Sequence, residues 1–464
     1  MIQRSQLAPY KRFNPGGKPK ALEAIAVGLL DDSPGFDCST AILRRDLPCI
    51  NGATGDIHVE QQTSKADEEA WLEAVCERAL GLSGGPLSIQ GPPGTGKTWL
   101  AAQVIVRLLE AGHTVALTAQ AHNTIINICE EIIDTGRAGA YQCARFASSK
   151  DDFVELAAPF EEFIGNERGK TLLNKGFVLL AGTAWMCANA KLHASVDYLV
   201  IDEAGQFGLA DAVASATCAT KGVILVGDPL QLAQVSQAKH EENGGRSVLG
   251  HILEEQSLIP DDRGILLTIT RRMHPDVCSF ISEHVYEGRL GYLPELANQR
   301  TAIGTGIRWL DVEHSGCSAR SREEAEVIRE QALKLIGTTW TDAKGVDHDV
   351  TADDIMVVAP YNAQVRELKA ELATNAKTAG IVVGTVDKFQ GGEAPIVFFS
   401  MATSSEDDLP RDKEFLFSRN RLNVALSRAQ CVAVIAANPA LLNTRARTIE
   451  QMRLISTMCA ACER

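Results

Sequence analysis

No apolar run in this 464-residue chain reaches the length of a membrane span, and its first stretch, MIQRSQLAPYKRF, lacks the apolar segment of a secretory leader. A membrane-embedded or exported protein is not expected; a soluble, cytoplasmic one is. Positive charge is short as well: 45 Lys and Arg against 59 Asp and Glu leave a formal net charge of −14. A wholly basic nucleic-acid coat is excluded, so any polyanion site must be a local groove in an acidic body. Metal-ligand spacing is scarce. The 12 cysteines are scattered, which in so long a chain fits reduced thiols rather than a disulfide framework. Cys459 and Cys462 form a C-x-x-C near the C-terminus, with no second pair nearby to complete a four-ligand zinc site. Short-period repeats and long low-complexity segments are missing too, so a repeat architecture is not expected.

What is present begins at SIQGPPGTGKTWLAAQ, Ser88 to Gln103. Gly91, Gly94 and Gly96 let the backbone curl until successive N–H groups share one hollow. Lys97 adds a point charge for β- and γ-phosphates, Thr98 a hydroxyl for Mg²⁺, and the following helix its N-terminal dipole. The spacing G-x-x-x-x-G-K-[ST] runs from Gly91 to Thr98 and takes in Pro92, Pro93 and Thr95, with Trp99 next. PLSIQ reads as the strand entering this loop. Leu100, Val104, Leu108 and Leu109 form one helical stripe behind it, stopped at Gly112.

The length predicts at least two domains. Residues 1–65 are rich in turn signals (NPGGKP, DDSPGFD, CINGATGD) and carry no assigned role. From Pro86, short apolar runs alternate with helices: TVALTA, FVLLAG, YLVIDE and GVILVGD suit strands buried on both faces of a parallel sheet. One α/β domain is expected over 66–258. A second, over 259–445, repeats the pattern in GILLTI, DIMVVAP, GIVVGTV, APIVFFSM and VAVIAAN without a P-loop, followed by a tail at 446–464. REEAEVIREQALKLIG reads as a helix with Val327, Ile328, Leu335 and Ile336 among its apolar positions, and GTTWTDAKGVDHDVTADD as an exposed loop.

Chemistry-bearing residues stand at strand ends. YLVIDEAGQ, read as ending the fourth strand, carries Asp202 to hold Mg²⁺ through water and Glu203 to orient or deprotonate a water. VGDPLQL ends the next and offers the Gln231 amide, with Asp228 and Pro229 shaping the turn. The second domain supplies cations: Arg271 and Arg272 in TITRRMHPDV, Arg421 and Arg428 in RLNVALSRAQ, the last placed on a helix. An arginine from a neighbouring domain makes hydrolysis depend on closure.

In this order the strings GPPGTGKT, TAQAHNTIINI, AGTAWMCANAKL, IDEAGQ, GDPLQL, RRMHPDVCSFISEHVYEGRL, APYNAQ, GTVDKFQGGEAPIVFFS and NRLNVALSRA resemble the motifs of a superfamily 1 helicase. The branch is that of the nonsense-mediated-decay RNA helicase and the Okazaki-fragment nuclease–helicase. VIDEAGQ, RRMHPDVCSFIS and VYEGRL look like the helicase half of bacterial proteins that carry a RecB-like nuclease ahead of it, although no Asp…Glu-x-Lys nuclease constellation precedes the P-loop here. The resemblance covers about residues 66–441. It implies two tandem RecA-like P-loop NTPase domains of the α/β class, with mainly parallel sheets and ATP·Mg²⁺ in the interdomain cleft. It makes Gln231 a γ-phosphate sensor and Arg272 and Arg428 arginine fingers. Gly392 and Glu393 fall where motif V meets the nucleotide. Asn123, Thr183, Tyr361 and Thr385 fall at nucleic-acid-backbone contacts.

Two positions depart from the pattern. Relatives place an aromatic residue on the adenine where this chain has Arg271, whose planar guanidinium can also stack. They also carry an adenine-reading Gln ahead of the P-loop. The corresponding helix here has Trp71, with Gln61 and Gln62 further upstream. The expected activity is ATP-driven translocation along single-stranded DNA or RNA, DNA preferred, with 5′→3′ polarity from the branch. The alternative is a nucleic-acid-stimulated ATPase switch or loader for a separate nuclease that unwinds nothing itself; a generic AAA-type ATPase leaves LNVALSRA unexplained.

Overall fold

The computed structural model describes residues 16–31, 34–61, 63, 65–165, 167–232, 244–389, 392–410 and 413–463. Residues 1–15, 32–33, 62 and 390–391, parts of strings considered above, lie outside them.

Two parallel sheets organise the chain. The first has eight strands: β1 (Pro86–Gln90), β2 (Val115–Thr118), β3 (Gln142–Ala147), β4 (Phe160–Ile164), β5 (Phe177–Ala181), β6 (Val196–Ile201), β7 (Ala219–Gly227) and β8 (Gly264–Leu266). Their spatial order is β8-β1-β7-β6-β2-β5-β3-β4, every neighbour parallel. The second has five: β9 (Gly306–Asp311), β10 (Ile355–Ala359), β11 (Val382–Thr385), β12 (Ala394–Ser400) and β13 (Ala429–Ala437), ordered β9-β13-β12-β10-β11, again all parallel. Eleven helices matter below: α1 (Lys18–Leu30), α2 (Asp37–Arg44), α3 (Lys65–Leu80), α4 (Lys97–Glu110), α5 (His122–Asp134), α6 (Ala184–Cys187), α7 (Leu209–Ala216), α8 (Pro275–Val285), α9 (Arg322–Leu335), α10 (Asn362–Leu372) and α11 (Arg419–Leu426).

The near-continuous apolar strands are explained by cover on both faces. Along β2, Val115 and Leu117 face a cluster with α3, α4 and α5, while Ala116 faces one with α1, α2 and α7. The second sheet alternates likewise: Val397 and Phe399 of β12 join α8 and α11, and Ile396 and Phe398 join α9 and α10. The chain is thus an α/β protein with two RecA-like halves.

Several expectations change. YLVIDE is the sixth strand of the first sheet along the chain, not the fourth, because β3 and β4 intervene. Their polar residues hid them: Arg145 is fully buried, yet its NH1 donates to the Glu162 carboxylate on β4 at 2.5 Å and its NH2 to the Asp152 carbonyl at 2.8 Å. GILLTI does not open the second sheet; Gly264–Leu266 is an edge strand of the first, paired to β1. GTTWTDAKGVDHDVTADD holds an antiparallel hairpin, Thr339–Thr341 against Asp347–Asp349, rather than a plain loop. The N-terminal segment is no loose appendage either. Ile25 and Ile42 enter the first-sheet core, and Ser39 donates to the Val213 carbonyl at 2.9 Å.

That integration generates a prediction. Ile42→Ala, at a fully buried site, should destabilise the first sheet by about 2–5 kcal/mol. Val27→Ala on the half-exposed face of α1 should stay within about 0.5 kcal/mol. Urea unfolding followed by tryptophan fluorescence distinguishes the two.

Candidate nucleotide site

The P-loop leaves β1 and turns through Gly94 (φ +73°) and Gly96 (φ +83°), and α4 begins at Lys97 without a side-chain cap, a helix start whose first-turn N–H groups suit an anion. Gly94 is also a close-approach point. A Cβ there would sit 2.7 Å from both Arg272 Cβ and Thr270 Oγ1, and the Gly94 carbonyl accepts the Arg271 N–H at 2.8 Å. The loop of the first half thereby lies directly against the first residues of the second.

A cleft of about 500 Å³ opens at this contact. Pro93 to Trp99, Glu203 and Gln231 line it from the first half, and Arg271, Arg272, Glu393 and Arg428 from the second. Lys97 Nζ donates to the carbonyls of Gly91 (2.6 Å) and Pro92 (3.4 Å). Burial pulls the ammonium below its ordinary range, while Glu203, Asp228 and Asp202 oppose the shift. Asp202 lies beneath, 2% exposed, and burial followed by repulsion from Glu203 pushes its carboxyl up to about 7. Its Oδ1 is buried without a hydrogen-bond partner among the described residues. An acceptor left so is costly unless something completes it. Together with the half-buried Thr98 hydroxyl on the cleft wall it forms a donor set that fits a hydrated Mg²⁺. No group of three or more His, Cys, Asp or Glu side chains able to hold a metal occurs among the described residues, so Cys459 and Cys462 gain no companions.

Glu203 adopts a left-handed backbone (φ +51°), a strained conformation for a residue with a Cβ. The turn that follows is forced: a Cβ on Gly205 would fall 2.2 Å from the Asp228 carbonyl oxygen, so IDEAG and GDPLQ can touch only with glycine there. Gln231, 5% exposed, donates from Nε2 to Asp228 Oδ2 at 3.1 Å.

From the second half, Arg272 Nε pairs with Glu393 at 2.5 Å and its NH1 donates to the Ser427 carbonyl at 3.2 Å. Burial alone would raise the Glu393 carboxyl; Arg272 brings it below the usual range. Arg428 is not on a helix. It follows α11 in the turn before β13, its NH1 donating to the Gly392 carbonyl at 3.2 Å. Burial, then the neighbouring Arg272, lowers its pKa to about 9, and its Nε is a buried donor without a partner among the described residues. Arg271 forms an ion pair with Glu68 of α3, its guanidinium 5.9 Å from the Trp99 ring centre. Trp71 serves the core instead, its Nε1 donating to the Val59 carbonyl at 3.1 Å, and Gln61 caps the N–H groups of Thr268 and Ile269 at 3.1 Å each.

The four expected nucleic-acid contacts lie outside the cleft. Asn123 is exposed in the first turn of α5; Thr183 and Tyr361 are the N-caps after β5 and β10, and Thr385 ends β11 as the N-cap of the turn that follows, all three buried. Other cleft residues were not foreseen: Asn127, Glu130, Glu131 and Asp134 of α5 line one wall. Their i, i+3, i+4, i+7 spacing is a polar stripe opposite Ile125, Ile128, Cys129 and Ile132, and could have marked that wall.

The Gly94 contact can be tested. Gly94→Ala should weaken binding of a fluorescent ATP analogue at least tenfold, because a methyl group meets Arg272 and the φ is unfavourable. Gly112→Ala, at φ +83° with open space around it, should cost only about 1 kcal/mol of stability and leave binding near wild type. Titration of both variants decides the point.

Comparison with known proteins adds an independent result. Two family models, each described as an AAA domain, match residues 73–242 and 245–440. The Arabidopsis thaliana homolog of regulator of nonsense transcripts 1 is 26% identical over 460 residues, covering 88% of this chain and 35% of that protein. The Gallus gallus DNA replication ATP-dependent helicase/nuclease DNA2 is 25% identical over 350 residues, covering 74% and 33%. A solved arterivirus nonstructural protein 10 helicase in complex with DNA is 16% identical, with a TM-score of 0.42 over 80% of this chain and 63% of that one. The chain spans about a third of the length of the two curated relatives. With two AAA-domain models matched in tandem and helicases among its curated relatives, the chain is similar over most of its length to the superfamily 1 helicases.

Proposed function

We propose that this protein hydrolyses ATP in the cleft and uses the cycle to move along a single nucleic-acid strand and separate duplexes. The observation that carries the reading is the shared lining: Lys97 and Glu203 from one half, Arg272 and Arg428 from the other. A γ-phosphate in that cleft meets cations from both sides, so hydrolysis and release change the attraction between the halves.

In this reading the amides at the start of α4 and the Lys97 ammonium hold the β- and γ-phosphates, replacing the loop carbonyls that Lys97 now contacts. Mg²⁺, held by Thr98 and through water by Asp202, would neutralise phosphate-oxygen charge. Glu203 orients the attacking water and accepts its proton, Gln231 donates to a γ-oxygen, and Arg272 and Arg428 stabilise the charge that develops there. The nucleobase lies toward Arg271 and Trp99. The strand crosses the N-cap positions Thr183, Tyr361 and Thr385, with the exposed Asn123, where backbone N–H groups at helix starts suit phosphate rather than base edges. DNA is the preferred track and 5′→3′ the direction, the latter taken from the family branch. All 12 cysteines are free thiols, which supports a reducing, cytoplasmic setting; no helix among the described residues is long and apolar enough to cross a membrane.

Lys97→Ala should abolish turnover by removing phosphate binding. Glu203→Gln should lower it at least 10²-fold while retaining ATP binding. ATPase rates measured with single-stranded DNA and RNA of equal length at fixed salt check both, and near-normal turnover in either variant overturns the reading. Strand displacement from duplexes with 5′ or 3′ tails then separates a translocase from a switch. Stimulated hydrolysis with no displacement on either tail identifies a switch or loader acting with a separate nuclease.

A further inference from the structure

Asp228 is buried, and four donors converge on its carboxylate. Oδ1 accepts from Gln90 Nε2 at 3.3 Å and from the Leu230 N–H at 3.1 Å. Oδ2 accepts from Gln231 Nε2 at 3.1 Å and from the Tyr286 hydroxyl at 2.5 Å. Three of these donors belong to the first half. The fourth, Tyr286, caps the C-terminus of α8 in the second and is fully buried. The Tyr286 oxygen also accepts from Asn423 Nδ2 of α11 at 2.8 Å. The same amide group donates to the Leu230 carbonyl at 2.9 Å, and Asn420 Nδ2 donates to the Pro229 carbonyl at 3.0 Å. The second half therefore grips the Asp228–Gln231 turn at its backbone and at its carboxylate.

The Gln231 amide has two N–H bonds and Asp228 takes one of them, so the direction of the other depends on where Asp228 is held. Tyr286 holds Asp228 with a short hydrogen bond to a charged acceptor, among the stronger interactions a hydroxyl can make. We propose that Tyr286 is a positioning residue that ties the Gln231 sensor to the second half: through Asp228 and Asn423, closure of the halves depends on what Gln231 touches. Tyr286 does not line the cleft, so it acts through its neighbours. The inference rests on the cleft being the triphosphate site.

The test uses the full chain and two variants. Tyr286→Phe keeps the ring in its cluster and removes one hydroxyl; Val285→Ala, 3% exposed in the same cluster, perturbs packing alone. Small-angle scattering with and without Mg²⁺, ADP and beryllium fluoride measures compaction, and base pairs displaced per ATP hydrolysed measures coupling. Wild type and Val285→Ala should compact. Tyr286→Phe should bind the same complex within about threefold of wild-type affinity, lose most of the compaction, and displace at least tenfold fewer base pairs per ATP. Wild-type compaction in Tyr286→Phe overturns the proposal, as does an equal loss in Val285→Ala or a wild type that never compacts. A wild type that compacts yet displaces no duplex sinks the helicase reading while leaving the tie decided by scattering.

Discussion

Charge buried at the seam between two sheets is the constraint on which the rest depends. Lys97, Asp202, Asp228 and Arg428 each lose water there, and burial is the largest influence on every one of their protonation equilibria. Removing one partner from such a set typically costs about 3–5 kcal/mol, because the other is left unpaired. Neither half can neutralise its own share. The first brings one cation and several carboxylates to the seam, the second brings arginines, and Glu393 alone holds Arg272 among the carboxylates lining the cleft from that side. On the proposed function, a polyanion bridging Lys97 and the two arginines would shift this balance, and one ligand would then bias the relative position of two folded halves.

The architecture delivers these groups for a simple geometric reason. In an all-parallel sheet every strand ends on the same edge, and the crossover helices leave that edge open. Gln90 ends β1, Asp202 follows β6 and Asp228 follows β7, three strands adjacent in space. Backbone contact between the turns after β6 and β7 is then unavoidable, and Gly205 is what permits it. Lys97, Asp202, Glu203 and Gln231, spread over more than a hundred positions, converge because sheet order, not chain order, decides neighbourhood.

That distinction also explains what was legible beforehand. Phosphate-binding chemistry is written in consecutive residues, since a cradle of N–H groups needs one short glycine-rich turn; the P-loop and the strand-end acids could be read directly. The buried strands were readable where both faces are apolar. β3 escaped because Arg145 interrupts QCARFA, and its partners, the Glu162 carboxylate across the ladder and the Asp152 carbonyl, make an arginine tolerable at that depth. The N-terminal helices escaped because turn signals flank them, and the significance of Ile25 and Ile42 lies in the sheet face they cover. Tyr286 and Asn423 stood inside conspicuous strings, but their partners are Asp228 and Leu230, far away in the chain, and no local pattern encodes a hydrogen bond between halves.

The two departures from the helicase pattern become a single physical question once the side chains are placed. Trp71 turns into the core and satisfies its indole on Val59, so that turn of α3 offers the cleft no amide. One turn earlier on the same helix, Glu68 reaches Arg271 instead. A guanidinium pinned by a carboxylate and close to an indole presents a planar face, with NH2 already directed at Glu68. Such a face attracts any π-system by stacking, and its energy depends little on which ring edge carries an amino or a carbonyl group. An aromatic residue with a free amide beside it would separate those two tasks, holding the ring with one group and reading its edge with the other. Here α3 supplies an ion pair where the helicase pattern has a reader, and among the α5 residues that line the cleft the Asn127 amide is the neutral side chain with both a donor and an acceptor.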